Sequence, residues 1–109
     1  MRVLVCGGRR YEDEDAVYRV LDSINPSFVI EGGATGADAL AADWARENGV
    51  PCATVDAHWT FYGKKAGYIR NTWMLMLNPV KVVAFPGGNG TANMIKLAEE
   101  AGIEVIKVE

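Results

Sequence analysis

The chain is poor in the side chains that hold metals. Its 109 residues include one histidine, His58, and two cysteines, Cys6 and Cys52. Neither cysteine lies in a CxxC or Cys/His spacing, and one histidine cannot form a cluster, so we expect no metal site. Both cysteines fall in apolar, strand-like stretches, where a reduced thiol usually packs in a core. The sequence therefore argues against a fold held by zinc or disulfides.

Long apolar runs and excess positive charge are also missing. No run approaches the roughly 20 apolar residues of a membrane span, and the start, Met1-Arg2-Val3, has no secretory pattern. The net charge of −3 lacks the basic excess typical of nonspecific nucleic-acid binding. We therefore expect a cytoplasmic protein with no membrane partner, and a nucleic-acid partner is disfavoured.

What the chain does contain is a regular alternation of short apolar runs and amphipathic segments. We predict five strands at 2–6, 28–30, 51–55, 81–84 and 103–108, and four helices at 14–24, 37–48, 66–77 and 91–101, the first capped by Asp13. This alternation is typical of a parallel sheet covered by helices on both faces. We predict a single domain, residues 1–109, with a Rossmann-like three-layer α/β sandwich and strand order 3-2-1-4-5.

Three glycine-rich loops follow strands of this predicted sheet. They are Gly7–Arg10, Gly32–Gly36 and Pro86–Thr91. In a parallel sheet such loops share the carboxyl edge, where ligands bind at the point of strand-order reversal. Any one of them is explained as a tight turn, and none matches GxGxxG or a Walker A loop. Because the last one opens a helix, its free amides predict a phosphate site.

Side chains of other types surround this predicted crevice. The loop 56–65 is long enough to form a lid over the crevice. Its Trp59 and Tyr62 could stack on a base, and its Lys64 and Lys65 could contact a phosphate. The alternative is a surface loop whose aromatic side chains pack on the domain. Arg70 lies beside an apolar helix stripe and needs an anionic partner, either a carboxylate (Glu31, Asp38 or Asp56) or a ligand phosphate. Asp38, in the first turn of the second helix, either stabilises the helix dipole or accepts hydrogen bonds from ribose hydroxyls.

Four segments together resemble the SLOG superfamily of Rossmann-like nucleotide-binding domains, and most closely its short YspA-like members. They are Cys6-Gly7-Gly8-Arg9, residues 32–38 (GGATGAD), residues 66–71 (AGYIRN) and residues 85–94 (FPGGNGTANM). The last is similar to the PGGxGTxxE motif of the LOG phosphoribohydrolases. The resemblance implies a nucleotide or nucleotide-derived ligand, with its phosphate at Gly87 to Thr91, and no other cofactor.

One departure from that motif is informative. LOG enzymes carry a glutamate where this chain has Met94, and methionine neither accepts a proton nor stabilises an oxocarbenium ion. The resemblance therefore implies binding more strongly than catalysis. Our predicted ligand-binding residues are Gly7, Gly8, Arg9, Gly33, Thr35, Gly36, Asp38, Trp59, Lys64, Arg70, Asn71, Pro86, Gly87, Gly88, Gly90 and Thr91.

Three functions remain as hypotheses from the sequence. The first is binding or sensing of a nucleotide. The second is an N-glycosidase that uses another carboxylate, such as Glu31, Asp38 or Asp56. The third is single-stranded DNA binding, as in the DprA branch of the superfamily.

Because residues 73–77 (WMLML) are apolar on every side, and LOG-like proteins form dimers, we also expect a homo-oligomer.

Overall fold

The computed structural model describes residues 1–109 as five strands and five α-helices. The strands are β1 (Arg2–Cys6), β2 (Phe28–Glu31), β3 (Cys52–Thr54), β4 (Lys81–Ala84) and β5 (Glu104–Lys107). The helices are α1 (Glu14–Ile24), α2 (Ala37–Glu47), α3 (Trp59–Tyr62), α4 (Ala66–Leu75) and α5 (Asn89–Glu100), with a 3₁₀ turn at Gly63–Lys65. No helix has the length and apolar character that crossing a membrane requires.

The strands form one parallel sheet in the order β3-β2-β1-β4-β5, which confirms the predicted fold and strand order. Strand β1 lies at the centre, with Leu4 opposite both Ile30 of β2 and Val82 of β4. The strand order reverses between β1 and β4, because the chain first moves outward through β2 and β3 and then crosses back. The loops after β1 and β4 therefore flank the crevice where ligands bind in such folds.

Two apolar cores cover the two faces of the sheet, because successive side chains of a strand point to opposite faces. Val3 and Val5 of β1 pack with α1 and α2 around Trp44. Leu4 and Cys6 point the other way and pack with α4 and α5, in a core that includes Met94. Trp44 is buried. The continuous apolar runs of β1, β2 and β4 are explained by burial on both faces, whereas the edge strands β3 and β5 are partly exposed.

Several predicted boundaries differ from the structure. The predicted lid loop contains α3 and the 3₁₀ turn. Helix α4 ends at Leu75 rather than Leu77, because the amides of Leu77 and Asn78 bond carbonyls only three residues back, and Asn78 then turns with φ +57° before Pro79. Helix α5 begins at Asn89 rather than Thr91, with Gly88 as its N-cap. The Asp13 cap is confirmed: its carboxylate accepts from the Ala16 amide at 3.0 Å.

Candidate functional site

A cavity of about 740 Å³ opens at the carboxyl edge of the sheet, between the loops after β1 and β4 and the start of α4. Its volume lies within the range of small-molecule sites, roughly 300–1,000 Å³. Thirteen predicted ligand-binding residues line it: Gly7, Gly8, Arg9, Asp38, Trp59, Lys64, Arg70, Asn71, Pro86, Gly87, Gly88, Gly90 and Thr91. The structure thus brings together residues from four separate stretches of sequence.

The other three predicted residues lie elsewhere. Gly33 and Thr35 line a smaller adjoining cavity of about 200 Å³. Gly36 lines neither cavity. Its φ is +76°, and a Cβ there would collide with the carbonyl of Gly8. Glycine at position 36 is therefore required by backbone conformation and by the close approach of two loops.

The loop after β4 exposes a row of free backbone amides. None of the N–H groups from Gly87 to Thr91 donates to an oxygen of the protein, and no side chain caps α5. The first amide with an acceptor is that of Ala92, which donates to the Gly88 carbonyl at 3.0 Å. A Cβ at Gly88 or Gly90 would meet no atom within 4 Å. The start of α5 therefore presents unsatisfied donors and the positive end of a helix dipole to the cavity.

Several backbone groups of the other two glycine loops form hydrogen bonds within the protein. The Gly8 amide donates to the Pro86 carbonyl at 2.9 Å, and the Gly8 carbonyl accepts from Ala37 and Tyr11, both at 3.2 Å. In the loop after β2, the Gly33 amide donates to the Glu31 carboxylate at 2.6 Å, and the Asp38 carboxylate accepts from Gly32 at 3.1 Å and Ala34 at 3.3 Å. Each of these two loops leaves at most two consecutive amides without an acceptor, whereas the loop after β4 leaves five.

Four cationic side chains line the main cavity: Arg9, Arg10, Lys64 and Arg70. None of them has a carboxylate within 4.0 Å. The protein has three ion pairs, and all three involve other residues: Arg46–Asp43, Lys81–Glu104 and Lys107–Glu99. The predicted protein carboxylate partner of Arg70 is therefore not formed. Although the chain is net negative, four cations without a carboxylate partner line the same cavity as the free amides. This arrangement is complementary to an anion.

Arg70 is held in place by neutral groups. Its Nη1 donates to the Gly32 carbonyl, and its Nε donates to Oδ1 of Asn71 at 3.2 Å. The buried Asn71 in turn donates from Nδ2 to the Gly90 carbonyl at 3.2 Å and to Oδ1 of Asn93 at 3.0 Å. Asn71 thus connects the guanidinium to the start of α5. This network orients Arg70 without neutralising its charge.

Asp38 is the only carboxylate on the cavity wall. It is 6 % exposed. Desolvation by burial, with a contribution from the nearby Glu31 charge, raises the pKa of Asp38 from its ordinary value of 3.8 to about 6, although the two amides that it accepts and Arg70 act in the opposite direction. Its position in the first turn of α2 agrees with the helix-dipole interpretation, and its place on the wall leaves the ribose interpretation open.

Sequence reasoning gave Glu31 as a possible partner of Arg70 and as a possible carboxylate of an N-glycosidase. Glu31 is 1 % exposed and accepts from the Gly33 amide, the Thr54 hydroxyl and the Cys52 thiol. Glu31 thus connects the end of β2 to β3 and holds the start of the second glycine loop through the Gly33 amide. A glutamate directly after an apolar strand and before two glycines was the available signal.

Other cavity residues were absent from the predicted set. They are Cys6, Arg10, Tyr11, Ala34, Gly67, Tyr68, Met74 and Asn89. Arg10 and Tyr11 directly follow the first glycine loop, so their position in the sequence was a usable signal. Tyr68 lies two residues before Arg70 on α4, where only the helix orientation shows that it reaches the same cavity.

The predicted lid contributes Trp59 and Lys64 to the cavity. The guanidinium of Arg9 lies over the Trp59 ring, 5.1 Å from its centroid, and so connects the lid to the loop after β1. Tyr62 does not line the cavity. It packs against Phe61 and against Trp73, with ring centroids 4.8 and 6.0 Å away. Of the two aromatics that suited base stacking, only Trp59 is at the site.

Met94 is fully buried in the core between the sheet, α4 and α5, and it does not line the cavity. A thioether in that core needs no polar partner, whereas a carboxylate there would be desolvated. No three His, Cys, Asp or Glu side chains lie close enough together to hold a metal ion. Besides backbone amides, cations and aromatic rings, the cavity wall carries one carboxylate, the side-chain amides of Asn71 and Asn89, the Thr91 hydroxyl and the Cys6 thiol.

Known structures share this fold. DNA processing protein A (DprA) from Streptococcus pneumoniae superposes with a TM-score of 0.82 at 20 % identity, over 99 % of this chain and 50 % of DprA. MurG from Acinetobacter baumannii superposes with a TM-score of 0.56 at 17 % identity, over 97 % of this chain and 34 % of MurG. The chain spans half the length of DprA, and at these identities the likeness is one of fold.

Sequence comparison is more specific. The chain is 38 % identical to the Gene 61 protein of Mycobacterium phage D29 over 118 aligned positions, which cover 96 % of this chain and 94 % of the phage protein. Residues 1–62 match the model of the family described as YspA, cpYpsA-related SLOG. The matched segment contains the first two glycine loops, with Arg9, Glu31 and Asp38. The chain belongs to the YspA, cpYpsA-related SLOG family.

Proposed function

We propose that the main cavity binds a nucleotide or a nucleotide-derived phosphorylated ligand. The observation that carries the proposal is the row of free amides from Gly87 to Thr91, which faces cations that have no carboxylate partner. A phosphate accepts several N–H bonds at a helix start and bidentate bonds from arginine. Membership of a SLOG family agrees with a nucleotide-related role in general terms.

The remaining wall suits the other parts of a nucleotide. Trp59 offers a half-exposed indole face for a base. Asp38 repels a second phosphate close to it but accepts hydrogen bonds from ribose hydroxyls when ionised. This division of one wall into an anion-binding side and a diol-binding side favours a nucleotide over inorganic phosphate alone.

Calorimetry against a panel of nucleoside phosphates tests this proposal. Gly88→Asp places a negative charge among the free amides without a steric clash, so we expect affinity to fall by at least about 100-fold. Arg70→Ala removes one unpaired cation, and we expect a loss of about 10- to 100-fold.

Matched controls separate site effects from changes of net charge. Asn25→Asp adds the same charge as Gly88→Asp at an exposed turn on the opposite edge of the sheet. Arg46→Ala removes an exposed arginine whose partner is Asp43. Both controls should bind like the wild type. The absence of wild-type binding to every nucleoside phosphate in the panel would refute the proposal.

A second candidate is hydrolysis of the N-glycosidic bond, favoured by the buried Asp38 carboxylate with its raised pKa. A general base poised near the working pH is a feature of active sites. In this reaction water adds to the sugar C1′, the bond to the base breaks, Asp38 accepts the proton of the water, and the departing base takes up a proton.

The two candidates predict different results for one variant. If the protein is a hydrolase, free base accumulates from a nucleoside 5′-monophosphate with the wild type and not with Asp38→Asn, although the variant still binds. If every tested nucleotide stays intact with the wild type, the protein is a binding domain.

We also propose that the chain forms a homodimer through the exposed apolar residues at the edge of the sheet opposite to the cavity. Met76, Leu77 and Val80 are 74 %, 38 % and 56 % exposed, more apolar surface than an isolated turn requires. Light scattering should give twice the chain mass for the wild type and the chain mass for Met76→Lys. A monomeric wild type would contradict the proposal.

A further inference from the structure

The smaller cavity adjoins the main one at a shared wall. It has a volume of about 200 Å³ and is lined by Arg9, Gly33, Ala34, Thr35, Trp59 and Arg70. Arg9, Ala34, Trp59 and Arg70 also line the main cavity. Its volume is below the roughly 300 Å³ at which ligand sites usually begin. It is therefore too small to be a site of its own and suits one compact group of a ligand that lies mainly in the larger cavity.

The charge of the smaller cavity indicates which group that is. Two of its six lining residues are arginines, Arg9 and Arg70, neither has a carboxylate within 4.0 Å, and no lining residue is acidic. Both guanidinium groups are held by neutral groups. That of Arg9 lies over the Trp59 ring, 5.1 Å from its centroid, and that of Arg70 donates to the Gly32 carbonyl. Two preoriented guanidinium groups around a small space favour a compact anion.

The sheet order sets the separation between this anion site and the first one. The smaller cavity borders the loop after β2, the free amides follow β4, and β1 lies between these two strands. Strands β2 and β4 are thus two strand spacings apart, about 10 Å. The loop after β1 separates the two sites physically, since it bonds the β4 loop through Gly8 and the β2 loop through Arg9. A ligand that fills both sites must therefore place its two phosphates on opposite sides of this loop, which favours phosphates at two positions of a sugar over two that share a bridging oxygen.

We propose that the smaller cavity is a second phosphate subsite, and that the ligand is a nucleotide with phosphates at two separate positions of its sugar, as in a nucleoside 3′,5′-bisphosphate. This inference rests on the proposed nucleotide site. One phosphate lies at Gly87–Thr91, the sugar passes Asp38, and the second phosphate lies between Arg9 and Arg70. Trp59 and the Arg9 side chain over it form the boundary between the two subsites.

Three adenosine compounds test the arrangement by calorimetry with the whole chain. Adenosine 3′,5′-bisphosphate should bind at least about tenfold more tightly than adenosine 5′-monophosphate, because it gains the guanidinium pair. Adenosine 5′-diphosphate has the same number of phosphates, but they are adjacent, so its gain should be smaller. A diphosphate that binds as tightly as the bisphosphate overturns the separated arrangement.

A matched pair of variants locates the gain. Thr35 is exposed and lines only the smaller cavity. Thr35→Glu introduces a carboxylate beside the arginines and should abolish the advantage of the bisphosphate over the monophosphate. Thr35→Gln has the same side-chain length without the charge and should retain more of that advantage. Equal effects of the two variants overturn the proposal.

The failure of this inference is distinguishable from that of the proposed function. If the monophosphate binds and the bisphosphate binds no more tightly, the second subsite is refuted and the nucleotide site stands. If none of the three compounds, and no other nucleoside phosphate, binds the wild type, both are refuted. If the bisphosphate gains affinity and Thr35→Glu alone removes the gain, the second subsite is supported.

Discussion

Asp38 gives a prediction that can be worked from the structure to a number. The change is Asp38→Asn, which retains an oxygen able to accept from the Gly32 and Ala34 amides, at 3.1 and 3.3 Å in the wild type. It removes only the ability to ionise. The wild-type carboxyl has its pKa raised by burial from 3.8 to about 6. Its folded state therefore holds the proton more tightly than the unfolded state.

The sign and size of the effect follow from linkage. A raised folded pKa contributes stability that is complete below about pH 4 and is lost as the pH rises through about 6. Each pKa unit corresponds to about 1.4 kcal/mol, so the full change is about 3 kcal/mol. About half of it falls between pH 5 and pH 8. Relative to the wild type, Asp38→Asn should therefore become more stable by about 1.4 kcal/mol as the pH rises from 5 to 8.

Urea denaturation of both proteins at pH 5 and pH 8 measures this change. All other titratable groups are common to both proteins, so their contributions cancel in the difference. A control variant, Asp43→Asn, makes the same change at a surface carboxylate paired with Arg46 and measures the effect of the substitution itself. If the stability difference between the wild type and Asp38→Asn is the same at both pH values, the burial argument for Asp38 is refuted.

Three further predictions concern the loop after β4. Gly87→Ala should cost about 1–3 kcal/mol in a urea melt, because its Cβ would lie 2.7 Å from the Gly8 nitrogen, whereas Gly88→Ala should change stability by less than about 0.5 kcal/mol; equal effects would contradict this. Gly90→Ala should raise the melting temperature, since alanine favours a helix by about 0.5–1 kcal/mol and its Cβ meets open space; a lower melting temperature would count against it. Asn71→Ala should cost about 1–3 kcal/mol through its lost hydrogen bonds and also weaken phosphate binding; unchanged affinity would mean that the network does not organise the site.

The family resemblance directs attention to position 94, and the structure changes what that position means. In the sequence, Met94 occupies the position at which LOG enzymes carry a catalytic glutamate. In the structure it is a fully buried residue of the core that also contains Leu4 and Ala84. The one carboxylate on the cavity wall is that of Asp38, which belongs to a different helix, α2.

The sequence alone determined the fold, because periodicity and glycine placement are local properties. Alternating apolar runs and amphipathic segments require a covered parallel sheet, and the early crossover fixes where the strand order reverses. That was sufficient to place Gly7, Gly8, Arg70 and Gly87 at one crevice. It was also sufficient to predict that the loop after β4 has free amides at the start of a helix.

Only the tertiary structure decided which donors and charges are free. Hydrogen-bond partners depend on how the backbone folds: Asp38 and Glu31 accept from three amides of one glycine loop, Gly8 bonds the loop after β4, and the amides from Gly87 to Thr91 have no acceptor. Equally, no sequence pattern shows that Arg70 is held by carbonyls rather than by a carboxylate. Glycine-rich loops look alike in sequence because glycine meets a backbone demand, whereas their chemistry depends on what the rest of the fold brings to their N–H groups.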